Sequence, residues 1–290
     1  MNSINKMLII IALIFLSTKL AAQENDSIDQ CQFIAVYDYV IHTTDAADTP
    51  VNDSVQMAVL VGKHSTKYIE FNRVMSHDFG EWENIDYQMG EWNARKYNLP
   101  VIYMNHPKGE MRSFDKIVPH RFLVTDKIPT IDWVLSDETQ IIGGYMGHKA
   151  TGKYAGRTWT AWYTEEIPSS AGPWKLRGLP GLILQANDIG NIFSFSINQI
   201  IKRSGPIIYM SEMEHQKISS SKFTAKRNKL FCNKRYIQNP RYYIPDGALE
   251  GSVEMWPGGP KPPMEERLTT IAYDLIVPKK VNVYQPLELE

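Results

Sequence analysis

Gly172-Pro173-Trp174-Lys175-Leu176-Arg177-Gly178-Leu179-Pro180-Gly181-Leu182-Ile183-Leu184 is the stretch on which the reading of this chain turns. Glycine permits left-handed backbone and close approach, whereas proline fixes φ and removes a donor. Leu179-Pro180-Gly181 has proline second and glycine third, the type II preference, which predicts φ > 0 at Gly181. Leu182, Ile183 and Leu184 then open a strand, with Leu182 and Leu184 expected to enter the core from one face. Gly178, Leu179, Pro180, Gly181, Leu182 and Ile183 include no titratable or nucleophilic side chain, so the expectation is scaffold rather than chemistry.

Working outward, residues 157–163 read as a strand. Phe193, Phe195 and Ile197 alternate with Ser194, Ser196 and Asn198, which predicts a strand with one dry face and one wet face. Toward the amino terminus, β-prone runs occur at 31–43, 55–61, 68–71, 101–105, 111–114, 120–125 and 131–134. Gly62-Lys63-His64-Ser65, Pro107-Lys108-Gly109 and Gly143-Gly144 punctuate them. Residues 78–98 differ: Phe79, Trp82, Ile85, Met89 and Trp92 recur at three- and four-residue steps, predicting an amphipathic helix. Residues 219–230 carry Lys222, Lys226, Arg227 and Lys229 and suit an exposed helix or a solvated insertion. Residues 239–263 hold six prolines and read as an extended loop; 268–277 form a candidate late strand. Many short strands without strand–helix alternation predict a mainly β fold. The expected architecture is a curved antiparallel sheet, an open or partial barrel, with one or two helices; a β-sandwich is the alternative.

The sequence Gly178-Leu179-Pro180-Gly181-Leu182-Ile183 resembles the signature of the GLPGLI family of exported bacterial proteins of unknown function. Gly156-Arg157, Ala161-Trp162-Tyr163, Glu166-Ile167-Pro168 and Gly172-Pro173-Trp174 precede it in the family's order, and Asp188 and Pro286-Leu287-Glu288 follow. The similarity is dense over 144–200 and thin elsewhere. It implies a fold and an address outside the inner membrane, and no established activity. One departure is Gly147, where the family is expected to carry a cysteine.

The amino terminus points the same way. Lys6, the apolar run from residue 7 to 16, and Leu20-Ala21-Ala22 have the layout of a secretory signal, which predicts residues 1–23 as signal peptide and 24–290 as one domain. The apolar run is too short to span a bilayer. The expected location is periplasmic, outer-membrane associated or secreted. Cys31 and Cys232 would then sit where disulfides persist. The loss of the family-like cysteine at position 147 weighs against a bridge, and the sequence leaves the point open. Net charge is −1, so nothing favours nucleic acid or an anionic membrane surface as partner.

The chain has no nucleophile elbow, no phosphate-binding glycine loop and no His-Glu-x-x-His, so no cofactor or metal is expected. The seven histidines are scattered, and His148 reads as a surface residue. Glu165, Glu166 and Asp188 are the carboxylates a hydrolase would use on an extracytoplasmic glycan or peptide. Their plain structural reading is a solvated loop for the glutamates and turn chemistry for Asp188. Arg157, Trp159, Trp162 and Trp174 are the candidate ligand surface; the structural alternative is core aromatics with an ion-paired arginine. Three functions stay open: a non-catalytic binding or accessory module of the envelope, the hydrolase, and an outer-membrane component whose sheet edge pairs with a partner. Carboxylates converging within about 5–10 Å would favour the second. A long uncovered edge strand would favour the third.

Overall fold

The structure, a computed structural model, describes residues 27–44, 50–78, 99–117 and 120–231. The expected signal peptide, most of the helix predicted over 78–98, Cys232, the proline-rich loop and the late strand lie outside the described residues.

The strands are β1 (Ser27–Thr44), β2 (Pro50–Gly62), β3 (Thr66–Glu70), β4 (Val101–Met104), β5 (Glu110–Ile117), β6 (His120–Lys127), β7 (Val134–Ile142), β8 (Tyr145–Tyr154), β9 (Arg157–Thr164), β10 (Leu182–Asp188), β11 (Phe193–Ile201), β12 (Gly205–Ile208) and β13 (Gln216–Ser219). Helices α1 (Phe71–Asp78) and α2 (Ser220–Phe231) complete the described elements. All the strands join one sheet in the order β13-β6-β5-β4-β3-β2-β1-β11-β10-β9-β8-β7, with β12 paired to β1. The pairing is antiparallel except between β13 and β6. The sheet is open and does not close into a barrel. This is the mainly β, curved-sheet architecture that the spacing of short strands predicts.

Strand alternation explains how one sheet builds two cores. Ala35, Tyr37 and Tyr39 of β1 and Met57, Val59 and Val61 of β2 enter one core. Their neighbours Ile34, Val36, Ala58 and Leu60 enter the other. A central strand buried on both faces needs such a nearly continuous apolar run. Val74 of α1, Ile207 of β12, and half-buried Phe71 and Tyr209 cover the second core. There Tyr103 Oη donates to Ile208 O at 3.0 Å. Phe223 of α2 packs on Phe122 with ring centroids 5.5 Å apart. In β11, Phe193 and Phe195 are buried and Ser194 and Ser196 are partly wet, as the alternation predicts. Both rings stack on Tyr39, at 6.4 and 4.6 Å.

Two predicted elements differ. Residues 131–133 are not strand: Ile131 packs into the first core, Trp133 bonds to a loop carbonyl, and β7 begins only at Val134. The strand predicted over 68–71 ends at Glu70, and Phe71 opens α1, ahead of the helix the periodicity picks out. β7 is an edge strand of the described sheet, exposed along most of its length, including Val134, Leu135 and Ile141. Its pairing with β8 breaks register between Leu135 and Thr139, which interrupts the ladder near this edge. Among the described residues, no helix is long and apolar enough to cross a membrane.

Candidate binding groove

The connection from β9 to β10, residues 165–181, is folded back onto the first core. Ile167 O accepts from Ser169 N and, at 3.1 Å, from Leu182 N. Ala171 O accepts from Ile183 N at 3.1 Å, and Ser170 O from Gly178 N at 3.0 Å. Glu166 Oε1 accepts from Met146 N at 2.8 Å and ties the start of the loop to β8. Ala171, Trp174, Leu176 and Leu179 sink into the core. The Trp174 ring lies 5.9 Å from Trp159 and 5.5 Å from Tyr154. A loop with this many internal bonds and buried side chains behaves as part of the core.

The glycines of this loop are required for different reasons. Gly178 has φ +94°, a conformation that L side chains rarely adopt. Gly181 does not have positive φ, which corrects the type II expectation. A Cβ there would overlap the Thr164 carbonyl, lying 2.5 Å from its carbon and 3.0 Å from Glu165 N. Glycine at 181 is therefore a matter of close backbone approach. Leu182, Ile183 and Leu184 are all in the first core rather than alternating. The cause is a register shift between Ile183 and Gln185 against β9, an irregularity that re-aims consecutive side chains. Tyr37 Oη donates to Ile183 O at 2.7 Å beside it, and burial pushes that phenol's pKa upward.

Between this loop and the β2–β3 turn lies a cavity of about 280 Å³. Tyr68, Met104, Trp174 and Leu176 give its apolar walls, and Lys63, His64, Ser169, Ser170 and Arg177 are among its polar lining. The turn is fixed by Asp29, whose Oδ2 accepts from His64 N at 2.7 Å, Ser65 N at 2.8 Å and Ser65 Oγ at 3.2 Å. Burial acts to raise the Asp29 pKa, but these bonds and that from Gln30 N outweigh it and hold the carboxyl below its ordinary value. Asn105 Nδ2 donates to His64 O at 2.7 Å and pins the turn from the other side.

Arg177 is the group the sequence reading passed over. Trp133 Nε1 donates to its carbonyl at 2.8 Å. Its Nη1 is buried and has no hydrogen-bond partner among the described residues. Burial pushes its pKa below the usual arginine range. Among the described residues, no carboxylate lines the cavity. Other arginines are ion-paired: Arg157 with Asp188, Arg112 with Glu110 and Glu212, and Arg121 with Glu214. Arg112 Nη1 also donates to Tyr209 Oη at 3.0 Å, and burial pushes that phenol up to about 12.

The residues singled out from sequence come together as two buried pairs, Arg157 with Asp188 and Trp159 with Trp174, and not as one open site. Arg157 Nη1 meets Asp188 Oδ2 at 2.8 Å, with side chains 6% and 3% exposed. Asp188 Oδ1 accepts from Ile192 N and Phe193 N, which closes the β10–β11 turn. Trp159 and Trp174 are buried as well, and among the four residues expected to form a ligand surface only Trp162 is half-exposed. The Lys149 ammonium lies 6.0 Å from the Trp162 ring centroid. Glu165 and Glu166 are exposed just beyond Thr164, which pairs with Leu182. Asp188 lies six residues further along β10, roughly 20 Å at strand rise. Carboxylates so placed cannot share one sugar unit, where about 5–10 Å is needed. His148 stands beside the Tyr163 ring at 5.7 Å. Among the described residues, no group of three or more His, Cys, Asp or Glu is placed to hold a metal ion.

A family model described as a protein of unknown function (Porph_ging) matches residues 153–185. That span runs from the end of β8 through β9 and the folded-back loop into β10, so it includes one wall of the cavity. A comparison with curated proteins gives no match. Among solved structures, PNGF-II in a P21 crystal form is similar, with TM-score 0.43 and 14% identity over 68% of this chain and 33% of that one. Its C2 form gives TM-score 0.41 and 15% identity over 67% and 32%. A DUF1329 family protein from Desulfovibrio piger gives TM-score 0.22 and 9% identity over 64% and 90%. The chain thus spans about a third of the length of PNGF-II.

Proposed function

We propose that this chain is an exported, non-catalytic binding or accessory protein of the cell envelope, of the GLPGLI type, and that it binds its ligand in the groove between the β2–β3 turn and the loop over residues 168–177. The observation that carries this reading is the groove itself. Its wall is made by the loop that ends in the signature, and its lining combines buried aromatics with cationic and hydroxyl groups. The surface it offers is mostly polar, so a ligand would be held there chiefly by hydrogen-bonding and charged groups. The separation of Glu165 and Glu166 from Asp188, and the engagement of Asp188 in an ion pair, weigh against the hydrolase. The signal-like amino terminus supports export, with a mature chain starting near Gln23 or Glu24 and a periplasmic, outer-membrane or secreted destination.

The test is capture from the envelope of the producing bacterium by the mature chain. Ser170 is exposed at the groove, so Ser170→Trp fills the opening while its backbone carbonyl keeps the bond from Gly178 N. A glycan, peptide or protein retained by the wild type and lost by Ser170→Trp is the expected result. Equal capture by both sinks the groove as the binding site.

A further inference from the structure

We propose that the polar face of the sheet around Trp162 binds a neutral glycan, an extended β-1,4-linked chain lying across the strands from β8 toward β2. This surface is separate from the groove. The groove takes Val59, Val61 and Tyr68 from the first-core side of the sheet, whereas Trp162 alternates with Ala161 and Tyr163 of that core and points the other way. On its side the strand registers align one continuous row. Lys149 pairs with Trp162, Trp162 with Gln185, Gln185 with Ser196, Ser196 with Asp38, and Asp38 with Gln56. The next row places Thr151, Thr160, Asn187 and Ser194 across β8 to β11. Directly opposed residues share a face, so these side chains form two parallel ladders. Further along β1 and β2 the same side carries Ile34, Val36, Ala58 and Leu60, and Val74 of α1 and Ile207 of β12 cover it. Where the residues turn polar the cover ends: Lys149, Trp162, Gln185, Ser196 and Asp38 are half-exposed, and Gln56 is exposed.

Apart from Lys149 and Asp38, these positions carry hydroxyls, carboxamides and one indole. Both charged groups are already engaged. Lys149 Nζ donates to Glu138 at 2.7 and 2.9 Å, and the Asp38 oxygens accept from Gln56 Nε2 at 3.1 Å and Asn198 Nδ2 at 2.9 Å. His42 stands 3.0 Å from Asn52 Oδ1 and 3.1 Å from Ser194 Oγ, which fixes that hydroxyl. Cross-strand bonds of this kind set donors and acceptors in place before a ligand arrives and lower the ordering cost of binding. Trp162 adds a stacking surface. Trp159 and Trp174 pack on each other, whereas Trp162 stacks on no other ring among the described residues. Its cationic neighbour, the Lys149 ammonium 6.0 Å from the ring centroid, is at the limit of cation–π reach and is held toward Glu138. A half-exposed indole beside carboxamides and hydroxyls suits a pyranose: its C–H face lies on the ring and its hydroxyls meet the polar neighbours. Strands step across the face by ~4.8 Å, close to the rise of one sugar in an extended β-1,4-linked chain. An added peptide strand is less suited, because β8 to β2 are paired on both sides and leave no backbone edge here.

The probes are cellohexaose, chitohexaose and maltohexaose, titrated calorimetrically into the mature protein. At least one of the first two, both β-1,4-linked ribbons, should bind saturably at one site. Maltohexaose, whose α-1,4 links coil the chain, should bind more weakly than that probe. Trp162→Ala should weaken the β-linked probe by about tenfold or more, as loss of a central aromatic anchor does. Gln185→Ala, at the neighbouring half-exposed position, should weaken it to a lesser extent, and Ser196→Lys should obstruct the row. Should Trp162→Ala fail to fold, these two polar positions decide the matter. Ser170→Trp, in the groove on the other side of the sheet, should bind the hexasaccharide like wild type. The proposal is overturned if neither β-linked probe binds, if maltohexaose binds as well, or if the face variants keep wild-type affinity. Loss of binding in Ser170→Trp would also overturn it and would assign the oligosaccharide to the groove. A face that fails these titrations leaves the envelope capture, and with it the reading of the groove, to stand or fall separately.

Discussion

Gly181→Ala is the most exacting perturbation of this fold, because the structure assigns its cost to a single overlap. The added methyl would stand 2.5 Å from the Thr164 carbonyl carbon and run into its oxygen. That obstacle is backbone, and it cannot rotate away. Thr164 is the last residue of β9 and is paired with Leu182, so moving its carbonyl breaks the β9–β10 ladder at the loop's entry. Overpacking typically costs ~1–3 kcal/mol and occasionally more, and a backbone-on-backbone clash belongs at the upper end, about 3 kcal/mol. At roughly 2–4 °C per kcal/mol for a domain of this size, the melting temperature should fall by about 6–12 °C. Gly178→Ala is the control. Its φ is +94°, and the nearest atom to an added Cβ is Trp133 Nε1 at 4.0 Å, so only the backbone conformation is penalised, by ~1–2 kcal/mol. Urea and thermal unfolding of both variants should therefore place Gly181→Ala clearly below Gly178→Ala. Equal losses, or the reverse order, would refute close approach as the reason for glycine at 181.

Asp188→Ala leaves the buried Arg157 guanidinium without its 2.8 Å partner and the Ile192 and Phe193 amides without their acceptor, and should destabilise by ~3–5 kcal/mol in urea unfolding. Leu184→Ala, at a fully buried position, should cost ~2–5 kcal/mol by the same measurement. Asp29 carries a pH dependence whose sign follows from its lowered pKa: the stability it adds is complete above the unfolded value near 3.8 and is lost as pH falls through the folded value. The difference in melting temperature between wild type and Asp29→Asn should accordingly be largest near neutrality and shrink below about pH 4; a constant difference from pH 7 to pH 2 would contradict this.

Much of the fold was legible because strand signals are local. The Phe193–Ile197 alternation, the turn glycines and the β-branched runs each report on a few adjacent residues, and the sheet follows from their number. Two features were hidden for the same reason. The register shift at β10 buries Ile183 together with Leu182 and Leu184, and it exists only relative to β9. The close approach at Gly181 involves Thr164, seventeen positions earlier, which no turn rule consults. Proline followed by glycine suggested positive φ at 181, yet the loop has its left-handed residues at Trp174 and Gly178.

The site was harder to read, because sequence marks residue types, and burial decides what those types do. Arg157, Trp159 and Trp174 drew attention as polar and aromatic neighbours, and the core holds all three. Asp188 looked like a candidate acid and is instead the partner that makes Arg157 tolerable inside. Arg177 stood in plain view between Leu176 and Gly178, but only three dimensions reveal that it lines a cavity and has a buried nitrogen without an acceptor among the described residues. The available signal was a charged residue, with Lys175 the other, in a largely apolar, turn-rich window, where a solvated side chain is the ordinary reading. What separates Arg177 from that reading is the β2–β3 turn, held by Asp29 more than a hundred residues away in the chain, which closes the groove over it. Scaffold and binding are therefore not rival roles for the signature loop: the buried face that packs Trp174 and Leu176 into the core is what holds Arg177 at the cavity wall.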